Sequence, residues 1–377
     1  MDLARPARRP AGRRLAAVMA ALLAAACTGP GRDGGGRPAP PPTATTTAAA
    51  SPRPPADGEP RYLEGRPLAG PTGLALLVPG DPPRVVDVDR GTSRRVEGLP
   101  AGREPVGVSP VGGGAIVAAD QELFVLRHGT WRARPVGRAS YAVASLDGQG
   151  IWLLEQGSRC TLREVALDGR DRRPPRRLPC STGLSAETRL GLLAWTAPTG
   201  DGDEGALLDP RTGRAVARYP EIHGVAGDLV LWGGHERDAG PFTLTDRRTG
   251  ASHPVARPTP YGEAGIGLAS PDGRRLAVEF ADPSWSRAHG QISDIWLLDT
   301  RTRRWRRLPG MPLITALKFM DMAWTGDGRL LLAGNFDRFG EALVSWRPGQ
   351  DHLAVRRLAL PDPAGSDGFV PWPATGF

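Results

Sequence analysis

One turn motif, returning along the whole chain, constrains its fold more than any other feature. An apolar strand ends at Asp, a polar turn follows, and an Arg-rich strand begins. It reads Val86-Asp-Val-Asp-Arg-Gly-Thr-Ser-Arg-Arg-Val, then Leu207-Leu-Asp-Pro-Arg-Thr-Gly-Arg-Ala-Val, Leu244-Thr-Asp-Arg-Arg-Thr-Gly and Leu297-Leu-Asp-Thr-Arg-Thr-Arg-Arg-Trp. Weaker copies lie at Leu126-Arg-His-Gly-Thr-Trp, Leu167-Asp-Gly-Arg and Trp346-Arg-Pro-Gly. The Asp bonds backbone N–H groups two residues on, and Gly takes the left-handed position. With Asp89, Arg127, Asp168, Asp209, Asp246, Asp299 and Arg347 as markers, the units are about 40 residues apart early and about 50 late. Such a period is the signature of a repeat architecture.

A second element precedes the first in several units: strand, tight Asp-Gly turn, strand. It reads Leu268-Ala-Ser-Pro-Asp-Gly-Arg-Arg-Leu-Ala-Val, Ala323-Trp-Thr-Gly-Asp-Gly-Arg-Leu-Leu-Leu and Ala144-Ser-Leu-Asp-Gly-Gln-Gly-Ile-Trp-Leu-Leu. Asp-Gly between apolar runs is a strong hairpin signal. Each unit is then four strands, A to D, and with no stretch of helical periodicity the class is all-β. The run Ser270–Val278 resembles the repeat of TolB-like and WD-repeat-like β-propellers, although the Trp-Asp dipeptide of true WD repeats is missing. The resemblance covers residues 61–377 and implies a β-propeller of four-stranded blades. The markers count seven blades, with six or eight as the neighbouring alternatives. The first unit is short of an innermost strand, which either residues 61–68 or the tail around Phe369–Phe377 would supply.

The strand compositions fit that architecture. Blade sheets are covered on both faces, so inner strands are apolar throughout rather than alternating. Ile295-Trp-Leu-Leu298, Leu229-Val-Leu-Trp232 and Ile151-Trp-Leu-Leu154 are of that kind. The fourth strand is an exposed edge, where charge discourages edge-to-edge pairing. Arg-Trp-Arg-Arg (304–307), Arg-Arg-Val-Glu (94–97) and Val-Arg-Arg-Leu (355–358) suit that position. Trp152, Trp195, Trp232, Trp296 and Trp324 sit in strand runs and are expected in the core.

Ahead of the repeats lies an address and a tether. Residues 1–26 are an Arg-rich start, the apolar run Leu15–Ala26, and then Cys27. The apolar run is too short to cross a ~30 Å hydrocarbon layer as a helix. Ala24, Ala25, Ala26 and Cys27 resemble the end of a bacterial lipoprotein signal, with Leu23 one place further out than usual. That resemblance implies that Cys27 becomes lipidated and that 1–26 is removed. Arg13-Arg14 leaves the export route open between the general and the twin-arginine pathways. Residues 27–60, rich in Gly, Pro, Ala and Thr, carry no apolar periodicity and cannot bury enough to offset their ordering entropy. They read as a disordered tether with a reach between ~30 Å as a coil and ~100 Å if polyproline-like.

An exported chain that keeps an even pair of cysteines usually bridges them. Cys160 would begin strand C of the third blade and Cys180 would end its strand D, with the Asp168-Gly-Arg-Asp171 turn midway. The two would face each other across that hairpin and form a disulfide.

Charge and motifs then narrow the function. The formal charge is +8, and Lys318 is the only lysine. Arg5, Arg8, Arg9, Arg13 and Arg14 against Asp2 carry +4 of it, which leaves +4 for the rest. No compact basic patch with interleaved aromatics stands out, so nucleic acid is not expected as a partner. His128, His223, His235, His253, His289 and His352 have no zinc spacing. No Gly-x-Ser-x-Gly elbow, Walker loop or dinucleotide fingerprint occurs, and Asp201-Gly-Asp-Glu204 reads as a solvated turn rather than a calcium loop. No metal, cofactor or catalytic residue is therefore expected.

The remaining signal is loop length. In a propeller the B–C and D–A loops share one face, and the A–B and C–D turns share the other. The C–D turns read as tight, while Pro198–Gly205, Gly234–Pro241, Asp282–Gln291 and Asn335–Glu341 read as long polar B–C loops. Binding groups concentrate on such loops of a rigid scaffold. The third brings Trp285, Arg287 and His289 together, and Trp and Arg are the usual anchors of interfaces. The leading expectation is a lipid-anchored, extracytoplasmic propeller acting as a protein-interaction or scaffold module for an envelope protein. Binding of a small ligand or glycan at the loop face or central channel comes second, and catalysis third.

Overall fold

The computed structural model describes residues 59–78, 83–100, 107–111, 114–119, 122–127, 132–196, 204–233, 240–259, 262–282, 291–315, 321–360 and 370–373. All of them fall in one compact unit, residues 55–377. Every regular element among them is a strand. Among the described residues no helix is long and apolar enough to cross a membrane.

The strands pair as successive antiparallel sheets, the pattern of a β-propeller. Five sheets are separate and four-stranded. Gly107–Val111 to Ala133–Arg138 form the second, Tyr141–Ala144 to Arg176–Leu178 the third, Thr182–Thr188 to Ala215–Tyr219 the fourth and Ile222–Ala226 to Ser252–Val255 the fifth. The first consists of Leu74–Val78, Arg84–Asp87 and Thr92–Arg95, with Val370–Pro373 added on its inner side. The rest is one 11-stranded sheet. It contains two runs of four, Leu268–Ala269 to Arg304–Arg307 (the sixth unit) and Asp321–Trp324 to Ala354–Arg357 (the seventh), linked through Leu313–Thr315.

Core packing follows the same order. Each core cluster combines residues of two successive units. Ala75, Leu77 and Val85 of the first unit pack with Ala115, Val117 and Phe124 of the second. Leu74, Leu76 and Val78 pack the other way, with Leu331, Ala333 and Leu343 of the seventh. The strand Leu74–Val78 thus serves two interfaces with its two faces, and this is why its sequence is an unbroken apolar run. The contact between the seventh and first units closes the ring.

Both candidate closing segments are used, in different places. The tail pairs antiparallel with Leu74–Leu77 and completes the first unit. Arg66–Pro67 adds in parallel to the outer strand Ala354–Arg357 of the seventh.

The Asp turns behave as expected, with one change of assignment. Asp209, Asp246 and Asp299 each accept backbone N–H groups two residues on, and the residue four positions on donates to the Asp carbonyl. In the first unit that role belongs to Asp87, not Asp89. Asp89 instead accepts from the backbone N–H of Thr72 at 2.7 Å, from Gly73 at 2.7 Å and from the Thr72 hydroxyl at 2.8 Å. It also accepts from the Arg356 guanidinium at 2.6 Å, a clasp between the first and seventh units. Partial burial pushes the Asp89 carboxyl up, but these donors outweigh it and hold the pKa at about 2, below the ordinary 3.8.

A depressed pKa means that the clasp stabilises the fold above the ordinary carboxylate value and is lost as pH falls from about 4 toward 2. Asp89→Asn is expected to cost about 1–2 kcal/mol at pH 6 after allowance for solvent screening. The difference from wild type should shrink through that acid window. Urea midpoints at pH 6, 4 and 2.5 check it, and equal midpoints at pH 6 would remove the clasp from the account.

Cys160 and Cys180 form a disulfide, with Cα atoms 5.0 Å apart. The partners are not directly opposed, as the turn position predicted: Cys160 faces Leu178, and Cys180 lies beyond the end of the outer strand. The third C–D connection is also not tight. It runs from 167 to 175 and includes Pro174 and Pro175, which have no N–H to extend the ladder. The bond therefore latches the end of a three-residue strand, Arg176–Leu178. Reduction is expected to cost about 3 kcal/mol on the chain-entropy estimate for this loop length. Denaturation with and without reductant measures it, and a thiol count on residues 55–377, unfolded without reductant, should find none.

Asn335–Glu341 is another correction. Phe336 pairs directly with Gly340, so the B–C connection of the seventh unit is a short turn and not a long loop. Arg338 (φ 61°) and Gly340 (φ 84°) supply its left-handed positions. Of the tryptophans expected in the core, Trp152 and Trp324 are buried, whereas Trp195, Trp232 and Trp296, on inner strands, are half-buried.

Candidate interaction site

The sixth unit carries the longest hairpin, Arg275–Asp282 with Gln291–Asp299, paired from Arg275↔Asp299 to Asp282↔Ile292. The loop that it presents contains Trp285, Arg287 and His289, which lie outside the described residues, as does Cys27. The bases of the Pro198–Gly205 and Gly234–Pro241 loops are described in the fourth and fifth units, and most of each loop is not.

The base of the sixth-unit hairpin is braced on both edges. Glu263–Ala264 pairs with Ala281 and Phe280 on the inner edge. Leu313–Thr315 pairs with Gln291–Ser293 on the outer edge and is itself held by Arg61 and Phe336. Strands fixed at both edges of a loop's base keep its ends at a set spacing, which is what a recognition loop requires of its scaffold.

Below the loop lies a buried polar floor. Ser293 and Asp294 are both 0% exposed, set between the buried Ile292 and Ile295. Asp294 accepts a two-pronged pair of bonds from Arg307, Nε at 2.8 Å and Nη2 at 2.9 Å. The Arg307 guanidinium also stands 5.3 Å from the Trp296 ring centre. The Ser293 hydroxyl donates to Glu279. Toward the fifth unit, Arg257 donates to the carbonyls of Thr259 and Gly262 and lies 5.2 Å over the Phe280 ring. Burial pushes the Arg257 guanidinium below its ordinary value, and Glu221 and Glu263 oppose that. His223, buried, places Nε2 2.7 Å from the Gly233 carbonyl, so the proton sits on that nitrogen. These charges hold one another and the backbone in place. Their chemistry is that of a stiff support.

The opposite face carries the Asp-Gly turns. Ser145, Ser270 and Thr325 each donate a hydroxyl to the Asp two residues on and accept an N–H from the following strand. The Thr325 and Ser270 bonds pull Asp327 and Asp272 below the usual carboxylate range. Arg172 beside Asp147 does the same there. A cleft of 370 Å³ lies between the turns of the sixth and seventh units, lined among others by Asp272, Arg275, Trp324, Asp327 and Arg347. Arg347 already pairs with Asp327 at 2.8 Å. Among the described residues no three His, Cys, Asp or Glu side chains gather at metal-binding range.

Sequence reasoning did not single out Ser293, Asp294 and Arg257, and it read Arg307 as an exposed edge-strand charge, whereas its guanidinium is turned to the buried Asp294 carboxylate. One signal was present: a Ser-Asp pair within Ile292-Ser-Asp-Ile-Trp-Leu-Leu298, where an apolar strand has no use for an isolated charge.

No protein-family model and no curated protein matches the sequence. Solved structures do. A prolyl endopeptidase structure is similar with a TM-score of 0.50 at 12% identity, over 77% of this chain and 50% of that one. This chain thus spans half the length of that enzyme, and the likeness shows the fold alone. A chain of the mitotic checkpoint complex is similar at 12% identity over 84% of this chain and 98% of that one, with a TM-score of 0.48. BamB from Moraxella catarrhalis is similar at 13% identity over 70% and 79%, with a TM-score of 0.42.

Proposed function

We propose that the chain is a seven-bladed propeller held outside the cytoplasm by a lipid on Cys27, and that it serves as a protein-interaction or scaffold module for a partner in the cell envelope. The observation that carries this reading is the braced hairpin of the sixth unit. It is the longest pair of strands in the described structure, fixed at both edges, and its loop holds Trp285, Arg287 and His289. A rigid base of this kind lowers the ordering cost of a recognition loop. The charges beneath it are already matched to one another, which suits a support for binding.

Crosslinking and pull-down from the native envelope test the reading. Wild type should capture a specific envelope protein, and Trp285→Ala should lose at least 2 kcal/mol of affinity, about 30-fold, if Trp285 is an anchor. Capture that survives both Trp285→Ala and Arg287→Ala unchanged would take the site away from this loop.

A further inference from the structure

We propose that the Cys160–Cys180 bond is a site of thiol–disulfide exchange for a dithiol oxidoreductase, with Cys180 the sulfur attacked and Cys160 the leaving and resolving one. The two ends of the bond differ in access. Cys160 is 2% exposed, at the start of the third strand of its unit. Cys180 is exposed, within the exposed run 179–181. Exchange at sulfur is an in-line displacement, so the incoming thiolate arrives from the side opposite the leaving sulfur. The bond runs from a buried residue to an exposed one. For Cys180 the line of attack therefore comes from outside, and for Cys160 it comes from within the protein.

The bond also sits where it can open without opening the ring. It latches the three-residue strand Arg176–Leu178, which pairs through Cys160↔Leu178, Thr161↔Arg177 and Leu162↔Arg176. Pro174 and Pro175 ahead of it have no N–H to add to the ladder. Upstream the chain is pinned by Arg172, which pairs with Asp147 and with Glu164 at 2.7 Å each. Downstream it is pinned by the pairing of Thr182 with Thr196. Between these pins, segment 174–181 depends on Leu178 in the core and on the Arg176 bond to the Arg211 carbonyl at 2.6 Å. The Gln156 amide adds a bond to the Cys180 carbonyl at 3.3 Å. A segment bounded in this way opens locally while the rest stays folded.

The step balances with a dithiol donor. Its thiolate attacks the Cys180 sulfur and forms a new S–S bond. The Cys160–Cys180 bond breaks with its electron pair on the Cys160 sulfur, which takes a proton. The donor's second thiolate then attacks its own sulfur in the mixed disulfide and releases Cys180 as a thiolate, which is protonated in turn. The donor is oxidised to a disulfide by two electrons, and the protein is reduced to two thiols. Oxidation runs the same path backwards: Cys180 attacks a donor disulfide, and Cys160 closes the bond. A monothiol serves poorly here. The Cys160 thiolate leaves into buried surroundings, which raise its pKa and make it a weak leaving group. It also stays beside Cys180, with Cα atoms 5.0 Å apart, and re-forms the bond before a second monothiol arrives. A dithiol resolves the intermediate within its own chain. The inference rests on the bond alone, and not on the anchoring or on partner capture.

The test uses the full chain in its folded state. Glutathione is added, exchange is quenched early with acid, free thiols are alkylated, and a tryptic digest is mapped by mass. Cys160 falls on peptide 160–163, Cys180 on 178–189, and Cys27 on neither. Glutathione should be found on Cys180 at least about tenfold more often than on Cys160, and within about twofold when the chain is unfolded first. Dithiothreitol at equal thiol concentration should open the bond at least about tenfold faster than glutathione. After reduction, hydrogen exchange should rise about 30-fold or more at the amides of Arg176–Leu178, and stay unchanged in Gly150–Glu155 and Gly191–Thr196. Equal labelling of both cysteines in the folded chain overturns the proposal. So does a reduction rate that climbs with urea in step with global unfolding, since unfolding alone would then expose the bond. Lost protection in those two core strands overturns it as well, because the bond would then hold the whole fold rather than one segment.

Discussion

Deletion of residues 362–377 is expected to lower the apparent melting temperature of the domain by on the order of 10 °C, through a loss of about 4 kcal/mol or more. The tail strand Val370–Pro373 is the only described partner on the inner edge of Leu74–Val78, pairing from Leu74↔Pro373 to Leu77↔Val370. Leu76 and Leu77 are 0% exposed. One face of their strand packs on the seventh unit and the other on the second, so a loosened strand disturbs two interfaces at once. The lost strand also strips partners from backbone groups that have no other, and each such buried group costs about 1–3 kcal/mol. What remains between the seventh and first units includes the packing of Leu74, Leu76 and Val78 on Leu331 and Leu343, the Asp89–Arg356 clasp, and the pairing of Arg66–Pro67 with Ala354–Arg357. Calorimetry of the full and truncated domains measures the effect. A synthetic peptide of residues 362–377, added to the truncated domain, should restore part of the loss. A melting temperature unchanged within about 2 °C would mean that the ring closes without the tail strand, through the packing, the clasp and the Arg66–Pro67 pairing.

Ring closure also marks the limit of what the repeat could convey. The four-strand unit was legible because its signals are local: an Asp that bonds forward to its own turn, a Gly at the left-handed position, and a strand apolar on both faces. Asp209, Asp246 and Asp299 all behave as that grammar predicts. Closure depends on partners hundreds of residues apart, such as Arg356 with Asp89, and no local pattern reports them. Asp89 shows the cost of reading locally, since it stands two residues from the true turn aspartate, Asp87, and serves another purpose. Loop length misled at Asn335–Glu341 for a related reason. Polar residues there signalled a loop, but Phe336 and Gly340 face each other across a short turn. For the candidate site, the stem was legible and the floor was not. The strands Arg275–Asp282 and Gln291–Asp299 follow from their apolar runs. The pairing of Asp294 with Arg307 spans two strands and emerges only from the ladder between them.

That ion pair supports the second large prediction. Arg307→Met is expected to cost about 3–5 kcal/mol, because it leaves the Asp294 carboxylate, 0% exposed, without its counter-charge. The reverse change should be milder. In Asp294→Leu the Arg307 side chain is still 23% exposed, so its head can reach water while its stem stays packed against Trp296. A cost of about 1–2 kcal/mol is expected there. The double variant Asp294→Leu with Arg307→Met should recover most of the single loss, and end near or above wild-type stability, because neither desolvated charge remains. The three variants with wild type make a double-mutant cycle, read by urea denaturation, whose coupling term should exceed about 2 kcal/mol. An Arg307→Met cost below about 1 kcal/mol would mean that water or another cation reaches Asp294, and the floor would then be open rather than sealed. The double variant separates stability from support of the loop above it. If the pair only fills space, partner capture in that variant should match wild type. If it fixes the hairpin base from which Trp285 and Arg287 are presented, capture should fall while the unfolding midpoint holds.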